Sequence, residues 1–277
     1  MIKTKSVSIK DLKRMSANMR KNAIQIGYAA GNNGAHFGPG LSIIEIMATL
    51  YGGILKFESK DSLWPGRDKF ILSKGHGSLG YYTALAEVGI ISDDDLRTFE
   101  IDGGFLSGQP SRNLEKGIEF SGGSLGMGLS LGVGVSLAHR LKEQLNKVFV
   151  LMGDGECNEG SVWEAAMSAS HYSLENLIAI VDANGLQSDG RCANVIDMEN
   201  MSQKWESFGF HVLKVDGHNE SDLLAAFKDA VNHSGSPSVL IAKTVKGKGV
   251  SFMEGNPSWH HGILNEDLYS EAMKELL

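Results

Sequence analysis

Short, continuously apolar runs rich in β-branched residues alternate along this chain with longer stretches whose apolar positions recur at helical spacing. The runs at residues 69–73, 147–152, 177–182, 211–215 and 238–243 read as strands. The stretches at 9–30, 41–55, 78–88, 129–145, 161–172 and 221–233 read as helices, with a last one near 265–277. Strands apolar throughout are buried on both faces, and helices between them supply the crossovers that parallel neighbours need. The pattern predicts an α/β fold: a doubly wound, mostly parallel sheet with helices on both faces. No Pro- or Ser-rich linker and no repeat at a fixed period interrupts it, so residues 1–277 are expected to form a single domain. Ligands of such sheets gather beyond the carboxyl ends of the strands, and chemistry is expected there.

Composition narrows the function. With 42% hydrophobic and 21% charged residues over 277 positions, a sizeable core is available. Glycine is enriched, at 34 residues, but only 5 prolines accompany it and no G-X-Y period exists, which excludes collagen-like and low-complexity chains. A net charge of −7 argues against a nucleic-acid surface. The two cysteines, Cys157 and Cys192, cannot build a disulfide framework and suit a reducing compartment. The first twenty residues are basic but carry no continuous apolar stretch, and no run approaches the ~18 apolar residues of a membrane span. A soluble, cytoplasmic chain with no membrane partner is the expectation.

Two strand ends carry the chemistry. The second predicted strand runs into Gly153-Asp154-Gly155, and the third into Ala183-Asn184-Gly185. Glycines let the backbone approach a ligand closely, and Asp154 presents a carboxylate at the strand end. One helix separates the two strands, and a right-handed crossover puts their ends on the same sheet edge. Asp154 and Asn184 can then offer one oxygen each to a single hard cation. Mg²⁺ takes few protein oxygens and fills its other positions with phosphate and water. Each dipeptide alone is an ordinary turn; together they predict a metal–diphosphate site. Competing glycine motifs fail: Gly126-Met127-Gly128 has Leu131 where a dinucleotide fingerprint needs glycine, and Gly247-Lys248 is followed by Gly249 rather than Ser or Thr. Gly132 and Gly134 are expected to serve close helix packing.

Gly153-Asp154-Gly155, Glu159 and Asp182-Ala183-Asn184 together resemble the thiamine diphosphate motif, and more narrowly that of transketolases. Further blocks extend the resemblance over nearly the whole chain: Ala35-His36-Phe37-Gly38, Leu72-Ser73-Lys74-Gly75-His76-Gly77, Gly122-Gly123-Ser124-Leu125-Gly126, Lys243-Thr244-Val245-Lys246-Gly247-Lys248-Gly249 and Trp259-His260-His261-Gly262. The family usually shows a second asparagine where this chain has Ala183. The resemblance implies Asp154, Asn184 and the Leu186 carbonyl as ligands of Mg²⁺, with Ca²⁺ or Mn²⁺ as substitutes. It implies Gly123, Leu125, Gly153, Asp154, Gly155, Glu159, Asn184 and His76 as cofactor contacts. His36, His76 and His261 are the implied catalytic groups, since an imidazole exchanges protons near neutral pH.

Nine histidines are present. His139, His171, His211 and His233 fall in predicted helices or strands and read as surface or core residues, and His218 as part of a turn. Where the family carries a Gly-His-Pro whose histidine contacts the sugar donor, this chain reads Gly108-Gln109-Pro110. His36, Gln109 and His261 are thus the implied substrate contacts, and glutamine cannot carry charge or transfer a proton there. The family's further domains, which supply an activating glutamate and a sugar-phosphate pocket, have no counterpart here. The resemblance therefore implies the N-terminal subunit of a two-component transketolase. It would move a two-carbon ketol unit from a ketose (phosphate) donor to an aldose with a C-terminal partner subunit, expected as an α2β2 heterotetramer. A relative specialised for a sulfonated or branched sugar, a 2-oxo acid dehydrogenase α-type subunit and a non-catalytic scaffold subunit are the alternatives.

Overall fold

A computed structural model describes residues 7–198 and 200–276, so the start of the basic segment, Met1 to Ser6, and the end of the last predicted helix, Leu277, lie outside the described residues. All five predicted strands form. β1 (Lys69–Leu72), β2 (Val148–Gly153) and β3 (Leu177–Ala183) are followed by a hairpin of two-residue strands, β4 (Leu186–Gln187) and β5 (Gly190–Arg191), and then by β6 (His211–Asp216) and β7 (Ser238–Lys243). The main sheet is five-stranded in the order β1-β2-β3-β7-β6, and every pairing in it is parallel.

Alternate residues of each strand feed separate cores, which is why β2 and β3 read as apolar runs, whereas the edge strand β6 carries the exposed Lys214. Phe149, Leu151, Ile178, Ile180 and Leu240 pack with helices Ile9–Ala29, Ile44–Thr49, Ser78–Glu87 and Glu220–Asn232. Val148, Val150, Met152, Ala179 and Val181 pack on the other face with helices Gly128–Leu141 and Gly160–His171 and the fully buried Trp205. Both faces are covered, as the apolar runs required. Among the described residues no helix is long and apolar enough to cross a membrane.

Two helices depart from expectation. The stretch predicted at 41–55 begins earlier, as Phe37–Leu41, and resumes as Ile44–Thr49 before a π-helical turn at Leu50–Ile54. Pro39 is accommodated because it sits in a first turn, where its missing N–H has no partner to lose. The helix predicted to reach 145 stops at Leu141, because Glu143 takes a left-handed φ of 54° and turns the chain. Leu141 and Leu145 continue the apolar periodicity yet are 84% and 89% exposed.

Register places the functional loops. Gly153 pairs with Asp182, and Ala183 with Lys243, so the segments after β2, β3 and β7 leave the sheet on one edge, side by side.

Candidate active site

A cavity of about 480 Å³ opens at that edge. It is lined by His36, His76, Gln109, Gly123, Leu125, Gly153, Asp154, Gly155, Glu159, Asn184 and Leu186, residues spread over 150 positions of sequence, and also by Lys74, Glu156, Lys246 and His260.

Asp154 is buried at the end of β2. Its Oδ1 accepts from Gly155 N–H at 2.8 Å and its Oδ2 from Gly185 N–H at 2.5 Å, which binds the turn after β2 to the turn after β3. Burial, and then the charge of Asp182, push its carboxyl above the usual range. Such a carboxylate favours a cation beside it. Asn184 Nδ2 donates to Asp182 Oδ2 at 3.0 Å, and its Oδ1 accepts from Leu186 N–H at 3.0 Å. The Leu186 carbonyl accepts from Lys246 Nζ at 3.2 Å. A carboxylate, an amide oxygen and a carbonyl, with an ammonium already drawn to one of them, are the donor set of a hard cation. Among the described residues no group of three His, Cys, Asp or Glu is placed to hold a metal; a site on these oxygens needs ligand oxygens to complete it.

Asp182 lies under this floor, fully buried, and accepts from Ser42 at 2.7 Å and from Lys74, Thr244 and Asn184. Burial acts to raise its carboxyl, but the Lys74 charge and the bonds from Lys74, Thr244 and Ser42 outweigh it and hold it low. Glu156, likewise buried, accepts from Ser73 Oγ, from Gly126 N–H at 2.9 Å and from Gly153 N–H at 3.1 Å. It ties the end of β1, the glycine loop 122–126 and the end of β2 into one frame. Gly126 needs its left-handed φ of 81°, and a Cβ there would meet Glu159 Cβ at 2.6 Å.

Four imidazoles crowd one wall. His36 lies 6.0 Å from His76 and 5.6 Å from His260 between ring centroids, and His76 stacks on His260 at 5.2 Å. An antiparallel bridge between Ala35 and Gly262 holds the two segments together. His261 stands on the rim, exposed, its ring edge-on to His36 at 4.6 Å, and does not line the cavity; its neighbour His260 does. Lys246 Nζ contacts His260 Nδ1 at 2.8 Å. Burial, then the charges of His261 and Lys246, lower the His36 pKa to about 4, and burial with Lys246 and His36 lowers His260 to about 3. His76 is pulled well down by burial, Lys74 and His260. These rings are neutral at pH 7. Burial and the Lys74 charge lower Lys246 to about 8. Two ammonium groups facing one cavity are the electrostatic setting for an anion.

Lys246, Lys74, Glu156 and Asp182 are the residues that motif reasoning left without a role. Lys74 and Lys246 lay inside quoted motifs, and a lysine in a glycine-rich loop after a strand was the available signal. Nothing in the sequence distinguished Glu156 from an ordinary surface glutamate.

Residues 13–276 match the family described as transketolase, thiamine diphosphate binding domain. The chain is 38% identical to an apulose-4-phosphate transketolase subunit from Actinobacillus succinogenes over 98% of both chains. It is 39% identical to a 6-deoxy-6-sulfo-D-fructose transketolase subunit from Clostridium sp. strain MSTE9, over 87% of this chain and 88% of that one. Among solved structures, the transketolase of Campylobacter jejuni superposes with a TM-score of 0.89 at 28% identity, over 98% of this chain. The chain spans 43% of that transketolase and 42% of the human one, to which it is 34% identical. Fold, motif positions and relatives agree: this chain is a member of the transketolase family, matched through the family's thiamine diphosphate binding domain.

Proposed function

We propose that the chain, as one diphosphate-binding domain over residues 1–277, is the cofactor-holding subunit of a two-component cytoplasmic transketolase that moves a two-carbon ketol unit from a ketose donor to an aldose. The observation that carries this reading is the gathering of Asp154, Asn184 and the Leu186 carbonyl with Lys74, Lys246 and three neutral imidazoles in one cavity. Asp154, Asn184 and Leu186 would hold a divalent metal such as Mg²⁺, and Lys246 with the Gly153-Asp154-Gly155 backbone would meet the diphosphate. An anion there relieves the mutual repulsion of Lys74 and Lys246, so the residues fit the group. Gly123, Leu125 and Glu159 border the same cavity as further cofactor contacts. Thiamine diphosphate, when bound, supplies the electron sink for breaking and making the carbon–carbon bond beside the ketose carbonyl.

The chain's own residues bind and orient the sugar. Lys246 donates to His260 Nδ1, which leaves Nε2–H as a hydrogen-bond donor. His36, His76 and His260 stay neutral at working pH and can therefore both accept and donate at sugar hydroxyls and at developing alkoxide charge. In this role His260 takes the place that the motif gave to His261. Gln109 in the same cavity favours a donor other than the common ketose phosphates, in line with relatives named for apulose 4-phosphate and 6-deoxy-6-sulfo-D-fructose.

A partner chain completes the site. Relatives matched over nearly their full length are named as subunits. Leu125, Met127 and Leu131, beside the cavity, are 37%, 48% and 36% exposed and form an apolar surface suited to burial against another chain. An α2β2 assembly is the expected form. The experiment purifies the chain alone and with a C-terminal transketolase half, then measures two-carbon transfer, mass by light scattering, and thiamine diphosphate binding with and without Mg²⁺. Transfer by the pair only, and loss of metal-dependent binding in Asp154→Ala, are expected. Full transfer by the isolated chain, or unchanged binding by Asp154→Ala, sinks the reading.

A further inference from the structure

The turn after β7 carries Lys246 into the cavity, and a second set of buried polar side chains grips that turn from its far side. Val245 N–H donates to His218 Nε2 at 2.8 Å, and the Lys248 carbonyl accepts from Arg20 Nε at 2.9 Å. Glu45 joins the two: one carboxylate oxygen takes Arg20 Nη2 at 2.5 Å and the other His218 Nδ1 at 2.9 Å. The side chains of Arg20, Glu45 and His218 are 10%, 8% and 14% exposed. They come from helix Ile9–Ala29, helix Ile44–Thr49 and the loop after β6, and none of them lines the cavity.

Because the Val245 amide must donate, His218 Nε2 carries a lone pair and the ring hydrogen sits on Nδ1, aimed at Glu45. The carboxylate thus fixes both the tautomer and the tilt of the ring. Replacing a buried ion pair such as Arg20–Glu45 by apolar groups of similar volume is often neutral or stabilising, so stability alone gives little reason for this triad. What the triad bonds is the backbone on either side of Lys246. That turn is followed by Gly247 at a left-handed φ of 78°, and from it the Lys246 ammonium reaches Leu186 O at 3.2 Å and His260 Nδ1 at 2.8 Å.

We propose that His218 is a positioning residue: through Val245 N–H it fixes the turn that sets Lys246 Nζ against the Leu186 carbonyl and His260 Nδ1, with Glu45 and Arg20 holding the His218 ring. Its effect on cofactor affinity rests on the diphosphate reading of the cavity; the coupling between His218 and Lys246 does not.

Two measurements test it. In the full chain without cofactor, an amine-reactive reagent is applied and modification of each lysine is quantified by mass spectrometry. His218→Ala should raise labelling of Lys246 by about threefold to tenfold, the worth of one hydrogen bond. Lys74 borders the same cavity but is held by Asp182, so its labelling should stay at the wild-type level. His218→Gln, whose side-chain oxygen can accept from Val245 N–H, should return Lys246 towards the wild-type rate. Unchanged Lys246 labelling in His218→Ala, or an equal rise at Lys74, overturns the proposal. In the assembled enzyme with Mg²⁺, His218→Ala should weaken thiamine diphosphate by a similar factor, and have no further effect in a Lys246→Met background. Full additivity of the two substitutions also overturns it. If Lys246→Met leaves cofactor affinity unchanged, the diphosphate role of Lys246 fails, and the labelling result still decides whether His218 positions it.

Discussion

At position 109 a glutamine lines the cavity that His36, His76 and His260 share. Its Oε1 is buried without a hydrogen-bond partner among the described residues, and it packs so tightly on Gly75 that a Cβ there would collide with it. The segment that carries it is fixed from outside. Tyr82 donates to Ser107 O at 2.8 Å, Gly122 N–H to Pro110 O at 2.8 Å, and Gly108 N–H to the carboxylate of Glu100. Glu100 itself sits at a left-handed φ of 54°, an uncommon conformation for a side-chain-bearing residue. A rigidly held glutamine offers hydrogen bonds but no transferable proton. Gln109→His should therefore raise kcat/KM on a common donor such as xylulose 5-phosphate. A change below about threefold, or ~0.65 kcal/mol of transition-state stabilisation, would show that this position does not select the donor.

The helix Gly128–Leu141 separates two glycines that look equivalent in sequence. Both were expected to serve close packing, and Gly132 does: a Cβ there would meet Val150 Cγ2 of strand β2 at 2.5 Å. Gly134 has nothing within 4 Å of the same position and faces outward. Substitutions should therefore act in opposite directions two residues apart. Gly132→Val overpacks a β-branched neighbour and should cost roughly 1–3 kcal/mol. Gly134→Ala meets no obstacle and should gain up to about 1 kcal/mol of helix propensity. Urea unfolding of the two variants checks both signs, and destabilisation by both would show that this helix face is packed differently.

Across the whole molecule, the buried histidines tie stability to pH. His36 and His260 titrate near 4 and 3 in the folded chain, against 6.5 for an ordinary imidazole. Below pH 6.5 the unfolded chain therefore binds protons that the folded one refuses, and stability falls as pH falls. The raised carboxyls of Asp154 and Glu156 act with opposite sign, since the folded chain takes up their protons before the unfolded one does, so the effect is read by comparing wild type with a variant that lacks one of the imidazoles. Lys246 acts at the alkaline side: with a folded value of about 8 against 10.5, it makes stability rise as pH climbs between those values. Wild type should lose more of its urea midpoint between pH 6.5 and 5 than His36→Asn does. Equal losses would show that His36 is not held neutral by the fold.

The sequence by itself determined the sheet, because strands buried on both faces must read as unbroken apolar runs, and it determined the family, because Gly153-Asp154-Gly155 and Asp182-Ala183-Asn184 must sit at adjacent strand ends to serve one ligand. Helix ends were legible where a capping side chain marks them, as at Asn265, and blurred where apolar periodicity outlasts the helix, as at Leu145. Only the tertiary structure shows that His260 lines the cavity while His261 stands exposed beside His36. It alone gave His218 a role beyond a turn, by bringing Arg20 and Glu45 to it from 198 and 173 positions away in sequence. Motifs record which residues must lie near one another along the chain. Which buried charge answers which is settled only when distant segments share one interior and every polar group there must find a partner.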